Sequence, residues 1–229
     1  MKHYDSIPRI QDDGTLIGEY VYGFNKLDGQ NFCVKYNPKT KEFGPFGSRR
    51  VLVDETSEQF GDAVRWFKNS NYQDILREIV KMASGKKGIF NGVKEITFFF
   101  EWYGDNSFAG FHQEGDNMHL ALIDVNLHKK GYLEPDKFIA LFKDSGIEIP
   151  DLVYKGILTN EIIDAVKKID SIEPVEFDEM PSSVIKEGVV FKRSTMMKGQ
   201  KRPSVKVKTS WWLQKLHEKY DEETCKELE

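Results

Sequence analysis

The chain lacks most of the features that would give it away at once. It has 2 cysteines in 229 residues, Cys33 and Cys225, far apart and without metal-ligand spacing. A disulfide framework is therefore not expected, and a reducing compartment is the default reading. No apolar run reaches the roughly 18 residues of a membrane-spanning helix. No apolar stretch follows Met1-Lys2-His3-Tyr4-Asp5, so no signal peptide is expected. There is no excess of positive charge: the net charge is −4, which argues against coating nucleic acid by bulk charge. Internal repeats and low-complexity segments are absent. Gly85-Lys86-Lys87-Gly88 lacks the upstream glycine of a phosphate-binding P-loop and reads as a surface turn. His112, His119 and His128 have no metal spacing and read as exposed polar positions.

What is present suits one large domain, or a domain with a small appendage. Apolar residues make up 39% of the chain and aromatics 13%, with 16 Phe, enough for a sizeable core. Charge is unevenly spread. Lys192, Arg193, Lys198, Lys201, Arg202, Lys206 and Lys208 fall between Phe191 and Ser210 with no acid among them. Acids gather from Glu173 to Glu187 and again from Glu218. A locally basic patch on an acidic chain points to a defined polyanion site.

The periodicity predicts strands on either side of Lys26, over Tyr20–Phe24 and Phe32–Tyr36. Phe32, Val34 and Tyr36 should share one face, with Cys33 and Lys35 on the other. Asn37-Pro38-Lys39-Thr40 and Gly44-Pro45-Phe46-Gly47 read as turns. Phe60, Val64 and Phe67, then Tyr72 through Ala83, have helical spacing. Ile96–Phe100 reads as a buried strand with Glu101 at its mouth, and Met118–Val125 as another, ending at Asp124. Lys137–Lys143 and Glu161–Ile169 read as helices, with Thr159 as N-cap of the second. Val184–Phe191 reads as a strand interrupted by Lys186-Glu187. Val205–Lys208 is a strand that puts Lys206 and Lys208 on one face, and a helical pattern follows from Trp211.

Six short motifs lie in order along this framework: Lys26-Leu27-Asp28-Gly29, Ser48-Arg49-Arg50, Phe100-Glu101-Trp102-Tyr103-Gly104, Leu122-Ile123-Asp124-Val125, Lys186-Glu187-Gly188-Val189-Val190 and Val205-Lys206-Val207-Lys208. Together they resemble the covalent nucleotidyltransferase superfamily of ATP-dependent ligases and mRNA capping enzymes. Within it the chain looks most like the phage RNA ligases that seal nicks in double-stranded RNA. That likeness rests on Asn31-Phe32 after the nucleophile loop, on Glu101-Trp102-Tyr103-Gly104, and on the paired lysines followed by Trp211-Trp212. The chain departs from its relatives at Asn25, often Glu in them, and at Ile123, where they often have an aromatic residue that stacks on adenine. Only residues 209–229 follow the last motif. The expectation is therefore a single nucleotidyltransferase domain over 1–229, without an OB or other C-terminal domain.

The resemblance implies an α+β fold, with two antiparallel β-sheets flanked by helices around a nucleotide cleft (a nucleotidyltransferase, ATP-grasp-like ligase domain). It implies an RNA ligase that joins 3′-hydroxyl and 5′-phosphate ends, with ATP as cofactor and AMP held covalently on Lys26. Lys206 and Lys208 would act with Lys26 on the α-phosphate. Asn25, Asp28, Asn31, Arg49, Glu101, Ile123 and Glu187 would complete the nucleotide site. Glu187 and Glu101 are the candidate ligands for Mg²⁺ or Mn²⁺. Lys26 must be neutral to attack, and neighbouring Lys206 and Lys208 together with a metal ion are expected to lower its pKa. Lys192, Arg193, Lys198, Lys201 and Arg202 are expected on a mobile basic loop that grips RNA, with nicked duplex as the expected substrate. The expected compartment is the cytoplasm, or a host cytoplasm for a phage-encoded protein. A partner protein or RNA-binding domain in trans could supply further grip, and the oligomeric state stays open. The alternatives are a DNA ligase or capping-type enzyme, and a catalytically weak nucleotide- or nucleic-acid-binding module.

Overall fold

Two antiparallel sheets face each other across a cleft in the computed structural model, which describes residues 3–177, 180–195 and 203–228. The chain runs through β1 (Tyr20–Lys26), β2 (Gln30–Asn37), β3 (Glu42–Ser48), β4 (Leu52–Val53), α1 (Gly61–Asn69) and α2 (Tyr72–Met82). It continues through β5 (Ile96–Gly104), β6 (Met118–Leu127), β7 (Gly131–Tyr132), α3 (Pro135–Phe142), β8 (Leu152–Ile157) and α4 (Asn160–Lys167). It then forms β9 (Pro174–Val175), β10 (Ser183–Val184), β11 (Gly188–Arg193), β12 (Ser204–Lys208), α5 (Ser210–Lys219) and α6 (Glu222–Leu228). One sheet has the order β4-β3-β2-β5-β6-β7 and the other β12-β11-β1-β8, with β9 and β10 as a separate pair. No helix among the described residues is long and apolar enough to cross a membrane.

Each sheet turns one face to a helical layer. Phe32, Val34, Phe98, Phe100 and Leu122 bury against Phe67, Leu76 and Val80 of α1 and α2 and Phe142 of α3. Val21, Val189, Phe191, Val205 and Val207 bury against Ile163 and Val166 of α4. The alternation around β2 holds, but its second face is not open to water. Cys33 packs with Phe99 and Tyr4, from a segment before β1 that crosses the cleft floor, and Lys35 pairs with Glu95 at 2.9 Å. Thr159 caps α4 as expected, accepting from Ile162 N.

Three local expectations change. Gly44-Pro45 is not a turn but lies inside β3, where the β2–β3 register slips between Val34 and Tyr36. A proline has no N–H for the ladder, and a bulge is where a strand tolerates that loss. The strand around Asp124 does not end there but runs on to Leu127. A bulge lets Leu122 pair with Phe100 and Val125 with Phe98 on the core face, so both Ile123 and Asp124 fall on the cleft side. Finally, His112 and His119 are half-buried and partnered, by Ser107 Oγ at 2.9 Å and by Asp105 at 3.0 Å. Only His128 is an exposed position, as expected.

Two motif glycines are set by close approach of chain to chain. A Cβ on Gly29 would meet Trp102 O at 2.4 Å, and one on Gly188 would meet Val207 O at 2.1 Å. Gly29→Ala should therefore cost roughly 1–3 kcal/mol of stability, the range for forced overpacking. Urea unfolding measures this directly, and an unchanged midpoint would mean that the loop after Lys26 has room to spare.

Candidate active site

The cross-strand register builds the site. Lys26 on β1 lies opposite Gly188 on β11, which lies opposite Lys208 on β12. Directly opposed residues project to the same face, so Lys26 and Lys208 stand on one side of this row. Glu187, the residue before Gly188, sits between them. Lys26 Nζ is 2.7 Å from Glu187 Oε2, and Lys208 Nζ is 3.2 Å from Glu187 Oε1. One row along, Lys206 lies opposite Val190, on the same side as Lys208 because strand side chains alternate. On the other sheet, Asn31 of β2 lies opposite Glu101 of β5. Lys26, Asn31, Glu101, Glu187, Lys206 and Lys208, with Asn25, Asp28, Arg49 and Ile123, line a single cleft of about 700 Å³.

The loop after Lys26 is held by its acid. Asp28 accepts hydrogen bonds from Ala109 N at 2.8 Å, Gly110 N at 2.7 Å and the Trp212 indole N–H at 2.7 Å. None of these three partners was expected from the sequence. In the sequence Trp212 belongs to an aromatic pair and a helical pattern with no sign of an acid partner, and a backbone amide leaves no mark on residue type.

The charges are strongly coupled. Burial opposes charge on Glu187, but Lys26 and Lys208 more than offset it and hold its carboxyl below the usual value. Burial likewise opposes charge on Lys26, yet Glu187, Glu101 and Asp28 outweigh it, and the pKa of Lys26 is raised. The carboxylates beside Lys26 thus oppose the expected lowering. The lowered lysines are its neighbours. Burial brings Lys208 down to about 8 against the pull of Glu187, and burial followed by the charge of Lys26 lowers Lys206. Asp28 is raised by burial and by Glu187. Burial also pushes Glu101 up to about 7, against the attraction of Lys26.

The other expected residues divide. Arg49 is exposed at the cleft edge, with its charge near Glu101 and Lys206. Asn25 lines the cleft but spends its amide on Val184 O at 2.9 Å. Lys192 and Arg193 are not on a loop. Both belong to β11. Lys192 is buried with its Nζ 3.2 Å from Asp124 Oδ2 and 2.6 Å from Ile123 O, so it ties one sheet to the other beneath the cleft. Arg193 pairs with Glu19 at 3.0 Å. A buried or paired cation is poorly placed to grip a nucleic-acid backbone. Lys198, Lys201 and Arg202 lie outside the described residues.

The donor set fits a hard divalent cation. Glu187, Glu101 and Asp28 supply carboxylate oxygens to the cleft, and Asn31 Oδ1 is buried there without a hydrogen-bond partner. Among the described residues no three His, Cys, Asp or Glu side chains are grouped to form a cage. Such a site suits an ion that keeps much of its water, as magnesium does.

A family model, RNA ligase, matches residues 19–208. The chain belongs to the RNA ligase family. No curated protein matches it, but solved structures do. Naegleria gruberi RNA ligase with PPi is similar at a TM-score of 0.60 and 19% identity, over 96% of this chain and 59% of that one. Variants of the same ligase with ATP and Mn, and with AMP and Mn, give TM-scores of 0.59 at 19% and 20% identity. Each is covered over 94% of this chain, and over 57% and 58% of its own length respectively. The RNA ligase domain thus spans less than three fifths of these proteins. At such identity the likeness establishes the shared α+β fold, with its two antiparallel sheets and flanking helices.

Two measurements check the electrostatics. Glu101 has a folded pKa of about 7 against an ordinary 4.5, so the folded state binds more protons between those values. Stability should fall as pH rises from about 4.5 to about 7, and Glu101→Gln should flatten that limb in urea titrations run with a chelator present. Lys192→Met should cost about 3–5 kcal/mol by stranding buried Asp124, while Lys192→Met combined with Asp124→Leu should recover most of the loss.

Proposed function

We propose that this domain is an ATP-dependent RNA ligase that works through an adenylylated Lys26. The observation that carries the reading is the Lys26–Glu187–Lys208 cluster at the end of the cleft. It places a nucleophilic amine, a proton-holding carboxylate and a phosphate-directed cation within contact of one another, in a chain of this family.

In the first step the Lys26 amine attacks the α-phosphorus of ATP. An N–P bond forms, the bond from that phosphorus to the bridging oxygen breaks, and pyrophosphate leaves. Lys26 must first lose a proton, and Glu187 Oε2 at 2.7 Å is the group placed to hold it. Lys206 and Lys208 are point charges suited to the α-phosphate oxygens, where phosphoryl transfer needs charge stabilisation more than covalent help. Arg49 at the cleft edge suits the outer phosphates, because its guanidinium can bind two oxygens at once. Ile123 and Val190 give the base an apolar contact in place of an aromatic stack. A divalent cation, held by Glu187 and Glu101 with Asn31 on its water shell, would supply positive charge opposing the carboxylates that now keep Lys26 protonated.

In the second step an oxygen of a 5′-phosphate attacks the same phosphorus and the N–P bond breaks, giving a 5′–5′ anhydride. A 3′-hydroxyl then attacks the 5′-phosphate and AMP leaves. Sealing of nicked duplex RNA, as in the phage double-strand-repair branch, is the form of the reaction we infer from the motif details. RNA ends are then the partner, ATP and Mg²⁺ or Mn²⁺ the cofactors, and the cytoplasm the site of action. Further grip on RNA could come from a partner in trans.

Incubation with α-labelled ATP should label the protein covalently, and Lys26→Ala should abolish the label. GTP should label it far less. Lys208→Met should slow labelling by about ten- to a hundredfold, the loss of one charge-assisted contact in the transition state. Matched nicked RNA, nicked DNA and single-stranded RNA ends then rank the substrates. No adduct with either nucleotide would falsify the reading.

A further inference from the structure

The reaction as described makes no use of Trp212, yet this residue joins two of its motifs. Its side chain is 1% exposed. The indole N–H donates to Asp28 Oδ2 at 2.7 Å, and Lys208 Nζ lies 3.4 Å from the ring centroid. Its position is set from a third motif. Thr209, the N-cap of α5, accepts from Trp212 N at 3.1 Å. Thr209 in turn donates from its N to Glu187 O at 3.0 Å, and from its hydroxyl to Lys186 O at 2.6 Å. Phe108 lies against the indole, with centroids 5.6 Å apart, and the next two residues, Ala109 and Gly110, are the amides that bind Asp28.

We infer that Trp212 is a positioning residue for nucleotidyl transfer, holding the Lys26 loop in register with Lys208 through an Asp28–indole–Lys208 chain. The inference rests on the reading of Lys26 as the adenylylated residue. A cation over an indole face is attracted by the ring quadrupole, most strongly where both groups are desolvated. A carboxylate on the indole N–H polarises the ring and makes that face more negative, so the two contacts reinforce each other. Lys208 also approaches Glu187 Oε1, and donates to Leu228 O at 2.8 Å. Those oxygens satisfy its charge, but neither belongs to the nucleophile loop. Trp212 touches both the loop acid and the phosphate-directed lysine.

The test replaces the tryptophan at this one position with analogues of nearly the same shape. Tryptophans carrying one to four fluorines weaken the ring face in steps. Benzothienylalanine keeps the ring but exchanges the N–H for sulfur. Rapid-quench labelling with ATP should show the adenylylation rate constant falling with each fluorine, to about tenfold in total, while the ATP KM stays nearly constant. The benzothienyl variant should lose roughly tenfold by removal of a hydrogen bond to a charged group. A purely structural role predicts no trend with fluorination, and a flat series would overturn the Lys208 link. A wild-type rate in the benzothienyl protein would overturn the Asp28 link. An arm independent of activity uses 13C-labelled lysine. The Lys208 ε-protons should be shifted upfield by the ring current, and Trp212→Phe should reduce that shift. An unshifted resonance overturns the geometry even in a protein that forms no adduct, whereas failure of the natural protein to label with ATP counts against the ligase reading instead.

Discussion

The Glu187 carboxylate is the group on which the site depends. It is 4% exposed, and a buried carboxylate is stable only when paired and hydrogen-bonded. Lys26 and Lys208 provide the pairing. This one requirement draws together residues separated by more than half the chain, and it can be met only if β11 runs between β1 and β12 in the observed register. Gly188 is part of the same constraint, since any side chain there would collide with Val207 O. Thr209 ties α5 to the carbonyl of Glu187, so the helix after the last motif is oriented by the same residue.

The same carboxylate explains a tension within the site. To act as the proposed nucleophile Lys26 has to be neutral, but Glu187, Glu101 and Asp28 raise its pKa. The Lys26 amine lies against Glu187, the carboxylate that under the proposed reaction would take its proton. Lys206 and Lys208, whose positive forms burial disfavours, are cations that gain most from the arrival of a polyanion. Ligand charge therefore changes the balance on every member of the cluster at once.

The second sheet supplies the other wall, and Lys192 ties it to the first. Lys192 crosses from β11 to Asp124 and to the Ile123 carbonyl, passing over the Phe24 and Phe138 rings at 5.0 and 5.8 Å. The bulge in β6 makes this possible by turning two successive residues toward the cleft. Tyr4 adds a hydrogen bond to Asp124 at 3.1 Å and packs on Phe99. The apolar end of the cleft is thus floored by groups whose polar atoms are already engaged, and the charged end by groups with capacity for a ligand.

Much of this was legible in the chain itself. Strands around Lys26 and the helices over α1 to α4 follow from alternation and helical spacing, because those signals are local, while the cleft positions of Asp28, Glu101, Glu187, Lys206 and Lys208 were implied by the resemblance of their motifs. The failures share a physical cause. Gly44-Pro45 looks like a turn until a register slip accommodates it. Ile123 and Asp124 cannot both face the cleft in a regular strand. Lys192 looks like a surface cation until Asp124 is seen to meet it. Sequence determined which residue types could carry nucleotidyl transfer and roughly which elements would bear them. Tertiary structure alone decided the strand register, the burial of Lys192, the tie from Trp212 to Asp28 and the charge on Lys26. Those depend on which distant groups become neighbours, and a buried charge takes its state from its neighbours rather than from its own position in the chain.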